Sequence, residues 1–130
     1  MKKDTKKVGD AYEKVACQYL EAKGYKILLR NIYVGRDEID IVARELDSGI
    51  LVFVEVKGLK NFRNFSSEQN FSFNKKRKFT RACSLFAGRH NGLIGDSGYR
   101  LDLVAIAMKS SLLLDWRDDC DVRHYENVLA

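Results

Sequence analysis

The chain of 130 residues is 45% hydrophobic and 32% charged, proportions of a single folded domain with its own core rather than a disordered tail. No apolar run approaches about 18 residues and no secretory leader pattern is present, which sets aside a membrane span or export. Net charge is +5, and three scattered cysteines (Cys17, Cys83, Cys120) without a C-x-x-C argue for reduced thiols in a cytoplasmic protein, against a disulfide frame or zinc site.

The first predicted element is a helix from Thr5 to Lys23, closed by Gly24. Val8, Ala11, Tyr12, Val15, Ala16, Tyr19 and Leu20 form its apolar stripe at helical spacing. Glu13 falls at the rim of that stripe, one turn after Gly9. Helical side chains lean toward the N-terminus, so its carboxylate would reach over a residue that has no side chain. Such a group can enter a site, or remain a solvated flank residue. Tyr25 to Asn31 reads as a strand, and Ile32 to Asp37 as a loop around Gly35.

Next come two apolar runs, Glu38 to Glu45 and Ile50 to Lys57, separated by Leu46-Asp47-Ser48-Gly49. β-Branched residues and an Asp-Ser-Gly break predict an antiparallel hairpin. With a four-residue loop, Ala43 faces Val52, Ile41 faces Val54 and Asp40 faces Glu55. One sheet face is then Ile39, Ile41, Ala43, Val52, Val54 and Val56. The other carries Val42 and Phe53, then Asp40 beside Glu55, then Glu38 beside Lys57. Like charges set opposite one another destabilise a sheet, so the paired carboxylates call for a cation. Asp, then Glu-x-Lys on the next strand, is the constellation of metal-dependent phosphodiester nucleases; a surface ladder of ion pairs is the plainer reading.

Gly58 to Ser72 is polar and irregular, with Phe62, Phe65 and Phe71 interspersed and Phe73 just beyond, as core anchors or as surfaces for unpaired bases. A second helix is predicted from Phe73 to Ala87, with Phe79, Ala82, Cys83 and Phe86 inward. Gly88 to Gly98 reads as a loop, Tyr99 to Met108 as a strand, and Leu112 to Trp116 as a short last strand. Charge is unevenly placed. From Lys57 to Arg89 there are nine lysines and arginines against one acid, Glu68, while the other residues hold 14 basic and 17 acidic groups. A positive sector beginning at the candidate site suits nucleic acid, although a solvated helix face also gathers lysines.

The motifs in order resemble the YraN-like family of predicted endonucleases, related in fold to Holliday-junction resolvases. They are Gly9-x-x-Tyr12-Glu13-x-x-Ala16, Leu20, Gly24-Tyr25, Arg30-Asn31, Glu38-Ile39-Asp40, Phe53-Val54-Glu55-Val56-Lys57, Lys75-x-x-Lys78-Phe79-x-x-Ala82, Arg100-x-Asp102 and His124-x-x-Asn127. Three departures from that pattern stand out: Tyr12 and Asp37 stand where the family usually has Gly, and Gly58-Leu59-Lys60 replaces polar and basic residues.

The resemblance implies an α/β fold with a restriction-endonuclease-like (PD-(D/E)xK) core, a mixed central sheet with an antiparallel hairpin, flanked by helices. It implies Mg²⁺, with Mn²⁺ as substitute, on Asp40, Glu55 and the Val56 backbone carbonyl. Glu13 would be an auxiliary ligand, directly or through water, and Lys57 would orient the attacking water. Lys60, Arg63, Lys75, Lys76, Lys78 and Arg81 are the expected nucleic-acid contacts. DNA is expected over RNA as the partner; linear and branched substrates are left open, as is whether the chain is an endonuclease or a non-catalytic nucleic-acid adaptor that retains the fold. A basic sector meeting an acidic protein is the third reading. Symmetric cutting of a junction would need a homodimer, which no sequence feature specifies.

Overall fold

The computed structural model describes residues 2–63, 65, 72–109 and 115–128, and their side chains except those of 2–8 and 73. Helix α1 (Lys2–Ala22) precedes strands β1 (Tyr25–Val34), β2 (Asp37–Glu45) and β3 (Leu51–Leu59). Helix α2 (Phe73–Arg89), the short helix α3 (Asn91–Ile94), β4 (Tyr99–Met108) and β5 (Cys120–Tyr125) follow. The five strands form one sheet in the order β1-β2-β3-β4-β5. β3 and β4 are parallel, joined across the sheet through α2, and the other neighbours are antiparallel. This is the α/β fold, with a mixed sheet, an antiparallel hairpin and flanking helices, that the resemblance implies. No helix among the described residues is long and apolar enough to cross a membrane.

Each face of the sheet carries its own core. Val15, Ala16 and Leu20 of α1 pack on Ile41, Ala43, Val52, Val54, Val104 and Ile106. Phe79, Ala82, Cys83 and Phe86 of α2 pack on Val42, Leu51, Phe53, Leu101 and Leu103. β4 is therefore buried on both sides, and reads as the continuous apolar run a covered parallel strand requires. Gly24 ends α1 with φ +92°, a left-handed conformation that costs glycine little. The β2–β3 register is the expected one, Ile41 on Val54 and Ala43 on Val52, with the Glu45 N–H donating to the Ile50 carbonyl at 3.0 Å. The three cysteines are buried free thiols.

Three expectations are corrected. The segment expected as a loop from Ile32 to Asp37 is mostly strand: β1 runs to Val34, and Ile32, Tyr33 and Val34 pair with Ile39, Glu38 and Asp37. Only Gly35 and Arg36 turn, and Gly35 at φ +65° supplies the left-handed residue a two-residue hairpin needs. Ile39 does not share a face with Ile41; it packs with Val42 and Phe53 on the α2 side. Opposite the change lies Asn31, whose φ of +51° shifts the phase of β1 between its pairs to Ile41 and Ile39. Among the described residues the last strand is Cys120–Tyr125, later than the expected Leu112–Trp116. Of the latter, residues 112–114 lie outside those described, and Asp115 and Trp116 belong to a turn that accepts and donates its own hydrogen bonds.

β5 and the tail are held by one buried charge. Asp102 is fully buried and accepts from Arg100 Nε at 3.0 Å, His124 Nε2 at 2.7 Å and the Asn127 N–H at 2.9 Å. Burial pushes its pKa up, but the hydrogen bonds from His124, Arg100 and Asn127 outweigh it, and the carboxyl stays below its ordinary range. The Tyr19 hydroxyl bonds His124 Nδ1 at 3.1 Å, and Arg100 donates to Tyr25 Oη at 2.6 Å, so α1, β1, β4 and β5 share one network.

Candidate active site

The ladder between β2 and β3 ends at the Ile41–Val54 pair, so the next residues, Asp40 and Glu55, stand where the two strands part. Asp40 replaces the missing ladder partner: its carboxylate accepts the Val56 N–H at 2.8 Å. N–H and C=O of one strand residue point to the same side, so the Val56 carbonyl also turns toward this gap. Glu55 lies on the α2 side of β3 and lines a cavity of about 260 Å³ with Arg36, Glu38, Lys75, Lys78 and Phe79. Lys57, two residues on, shares the Glu55 side by alternation.

On the α1 side, carboxylate oxygens of Glu13, Glu38 and Asp40 all lie within 4.8 Å of one another. Glu13 reaches a second cavity, of about 610 Å³, with Gly9, Asp10, Asn31, Tyr33 and Glu38. Nothing lies within 4 Å of a Cβ built on Gly9, so the space expected above that residue is open. Arg30 lies 4.0 Å from Glu13 Oε1, an atom that is buried and has no hydrogen-bond partner among the described residues. Burial, then the Asp40 carboxylate, pushes the Glu13 pKa up to about 7. Burial also raises Asp40, against the Val56 N–H, which favours its charged form. Glu55 is raised by burial and by Asp40, with Lys75 and Lys57 opposing.

Three or four carboxylates that repel one another, with an orphaned buried oxygen among them, gain most from a cation placed between them. The donors are all oxygen, which suits a hard divalent ion such as Mg²⁺ or Mn²⁺. Glu38 is the member the sequence reading left out of the candidate site. The sequence carried a partial signal, because regular alternation would put Glu38 and Asp40 on one face, but the strand changes phase between Ile39 and Ile41, so packing rather than alternation brings the two together. Asp40 is the hinge of the arrangement, facing Glu13 and Glu38 on one side and Glu55 on the other.

The expected basic residues divide by position. Lys75 and Lys78 line the Glu55 cavity, at the start of α2, where Ser72 caps the helix by accepting the Lys75 N–H. Lys76 lies on the same turn, outside that lining. Arg81 makes a two-bonded pair with Asp37, at 2.8 and 3.0 Å, so its guanidinium is already engaged. Lys60 lines a different cavity near the ends of β3, β4 and β5, and Arg63 lies on the exposed turn beside it.

The departures from the family pattern answer one another here. A Cβ on Gly58 would overlap the Tyr12 ring, and the Tyr12 hydroxyl donates to the Leu59 carbonyl at 3.2 Å. The larger residue on α1 is thus matched by the smallest on β3, and the ring lies over β3 instead of filling the space in front of Glu13. Asp37, the second departure, is the partner of Arg81.

A solved structure, that of an EndoMS–dsDNA2 complex, aligns with a TM-score of 0.45 and 17% identity, over 71% of this chain and 33% of that one. A UPF0102 protein of Carboxydothermus hydrogenoformans is 32% identical over 124 residues, 95% of this chain and 96% of that protein. One from Symbiobacterium thermophilum is 38% identical over 85 residues, covering 65% and 70%, and one from Pasteurella multocida 32% over 108 residues, covering 83% and 88%. The pattern of Uncharacterised protein family UPF0102 matches residues 12–106, the stretch that carries Glu13, Glu38, Asp40, Glu55 and Lys57, and the chain belongs to that family, whose YraN-like members its motifs resemble.

Proposed function

We propose that this protein is a metal-dependent endonuclease that hydrolyses phosphodiester bonds in nucleic acid, with DNA the expected substrate and branched DNA the first form to test. One observation carries the reading: mutually repelling carboxylates of Glu13, Glu38, Asp40 and Glu55 meet at a gap between two strands, and a lysine-lined cavity opens directly beside them.

Asp40, fixed by the Val56 N–H, would hold the ion with Glu13 and Glu38 on one side and Glu55 and the Val56 carbonyl on the other. When bound, Mg²⁺ or Mn²⁺ supplies positive charge to the scissile phosphate and acidifies a water. The Lys57 ammonium orients the attacking water and stabilises the charge that builds on the phosphate. Lys75 and Lys78 take the neighbouring phosphates, contacts that are independent of sequence and weakened by salt. Glu13, with a pKa near neutrality, would have to give up its proton to serve as a ligand.

The test is cleavage of a labelled four-way DNA junction, the matched linear duplex and a single strand, in Mg²⁺ or Mn²⁺, by the native chain and by Lys57→Ala. Products that need metal and vanish in Lys57→Ala support the reading, and Asp40→Ala should abolish cutting while leaving binding largely intact. Binding without products, equal in both proteins, refutes it in favour of a nucleic-acid adaptor.

A further inference from the structure

A third cavity, of about 620 Å³, lies beyond the carboxylates on the same sheet, lined by Lys60, Asn61, Phe62, Lys109 and Arg123 among others. Its position follows from the register. Lys57 on β3 pairs with Ala105 on β4, and Ala105 with Arg123 on β5. Partners across a ladder share a face, and neighbouring strands lie about 4.8 Å apart, so Arg123 sits about 10 Å from Lys57 along one row. Ala105, buried between them, adds only a methyl group to that row. α2 packs on β1, β2 and the first halves of β3 and β4, against Leu51, Phe53, Leu101 and Leu103, and the row from Lys57 to Arg123 lies beyond those contacts. There the Arg123 guanidinium lies over the Phe62 ring, 4.1 Å from its centroid. Among the described residues of the lining, Asp121 is the single acid, and it is already paired with Lys109 at 3.5 Å.

We infer that this cavity binds an unpaired stretch of a nucleic-acid strand, on the side of the scissile bond opposite Lys75 and Lys78. The inference rests on the function proposed above and deepens it by naming a substrate class, a duplex with a single-stranded arm. Three features favour a single strand. The space is of the size that holds one or two small aromatic groups, not a duplex. Its floor is a flat cation–aromatic stack, and only an unpaired base has a free face to lay on such a platform. Lys60 and Lys109 stand at its sides, where the phosphates of a strand continuing from Lys57 would pass. The carboxylate centre would thus lie between two cationic flanks, one built by α2 for the duplex and one by β5 and Phe62 for the arm.

The experiment is fluorescence anisotropy in EDTA, so that nothing is cut, with a blunt duplex, the same duplex carrying a single-stranded extension, and a single strand. The native chain is compared with Arg123→Gln, Lys60→Gln and Lys75→Ala, each checked by thermal melting. The native chain should prefer the extended duplex by about tenfold, the scale of one stacked base. Arg123→Gln and Lys60→Gln should each reduce that preference by weakening the extended duplex more than the blunt one, and Lys75→Ala should weaken both alike. Because Arg123 also steadies Phe62, Lys60→Gln decides the matter if Arg123→Gln melts early. Equal binding of blunt and extended duplexes by the native chain, or a preference that survives both substitutions, overturns this inference and leaves the nuclease reading standing. No binding of any ligand overturns both.

Discussion

Gly58→Ala is the sharpest test of how this site is built, because the sign of its effect depends on one other residue. A Cβ at position 58 would lie 2.7 Å from Tyr12 Cγ and closer still to two further ring carbons. These atoms belong to the body of the ring, and Cγ is near its root. The ring cannot swing aside without giving up the 3.2 Å bond from its hydroxyl to the Leu59 carbonyl. Overpacking of this kind costs about 2 kcal/mol. Alanine in a strand is otherwise favoured over glycine by about 0.5–1 kcal/mol, because the unfolded chain has less freedom to lose. Gly58→Ala should therefore destabilise the native chain, yet be neutral or stabilising once Tyr12→Ala has removed the ring. Tyr12→Ala alone should cost about 3 kcal/mol in lost aromatic packing. The assay is a double-mutant cycle in urea, expected to give a coupling of about 2–3 kcal/mol. If Gly58→Ala costs the same in both backgrounds, within about 0.5 kcal/mol, the close packing of α1 on the end of β3 is wrong. Gly58 adjoins Lys57 and Tyr12 adjoins Glu13, so the proposed nuclease activity should fall with Gly58→Ala and recover in part in the double variant.

Asp102→Asn should destabilise the protein by about 3 kcal/mol at neutral pH, since it removes the buried charge on which Arg100, His124 and the Asn127 N–H converge and leaves Arg100 only its 3.4 Å pairs with Glu45 and Glu126; a chemical melt that moves by less than about 1 kcal/mol would contradict the network. The carboxyl is held below its ordinary value of 3.8, so its contribution is present above that pH and is lost as pH falls further, through the folded value. The acid limb of the native stability curve should accordingly flatten in Asp102→Asn, as read by melting across pH 2–5 (about the range in which carboxyls titrate). Glu38→Gln should weaken Mn²⁺ binding by roughly tenfold in calorimetry, while charge count governs such sites; unchanged affinity would return Glu38 to a solvated position. Lys75→Ala and Lys78→Ala should each lower the salt slope of duplex binding by about 0.9, the share of one phosphate contact. Arg81→Ala should leave that slope unchanged, because Asp37 already holds the guanidinium.

Much of this architecture is legible in the order of residues, for a physical reason. Wherever backbone geometry is regular, side-chain direction repeats with a fixed period, so Val15, Ala16 and Leu20 announce a buried helix face, and Val52 and Val54 a buried strand face. A short break with glycine at its end fixes the pairing of β2 with β3, and so brings Asp40 and Glu55 together. Periodicity fails where the geometry changes phase. The left-handed Asn31 and the end of the ladder at Ile41 send Ile39 to the other core, and that shift is set by which strand pairs with which. The same is true of contacts between distant elements. That Glu13 and Glu38 meet, that Tyr12 lies on Gly58, and that Asp102 gathers Arg100, His124 and Asn127 are consequences of packing α1 and β5 against one sheet. The sequence by itself determined α1, the β2–β3 hairpin, α2 and β4, most of their buried faces and the acid pair of the hairpin, because these depend on neighbours a few residues away. Only the tertiary structure decided the carboxylate cluster and the row from Lys57 to Arg123, because those distances are set by the ladders that join strands far apart in the chain.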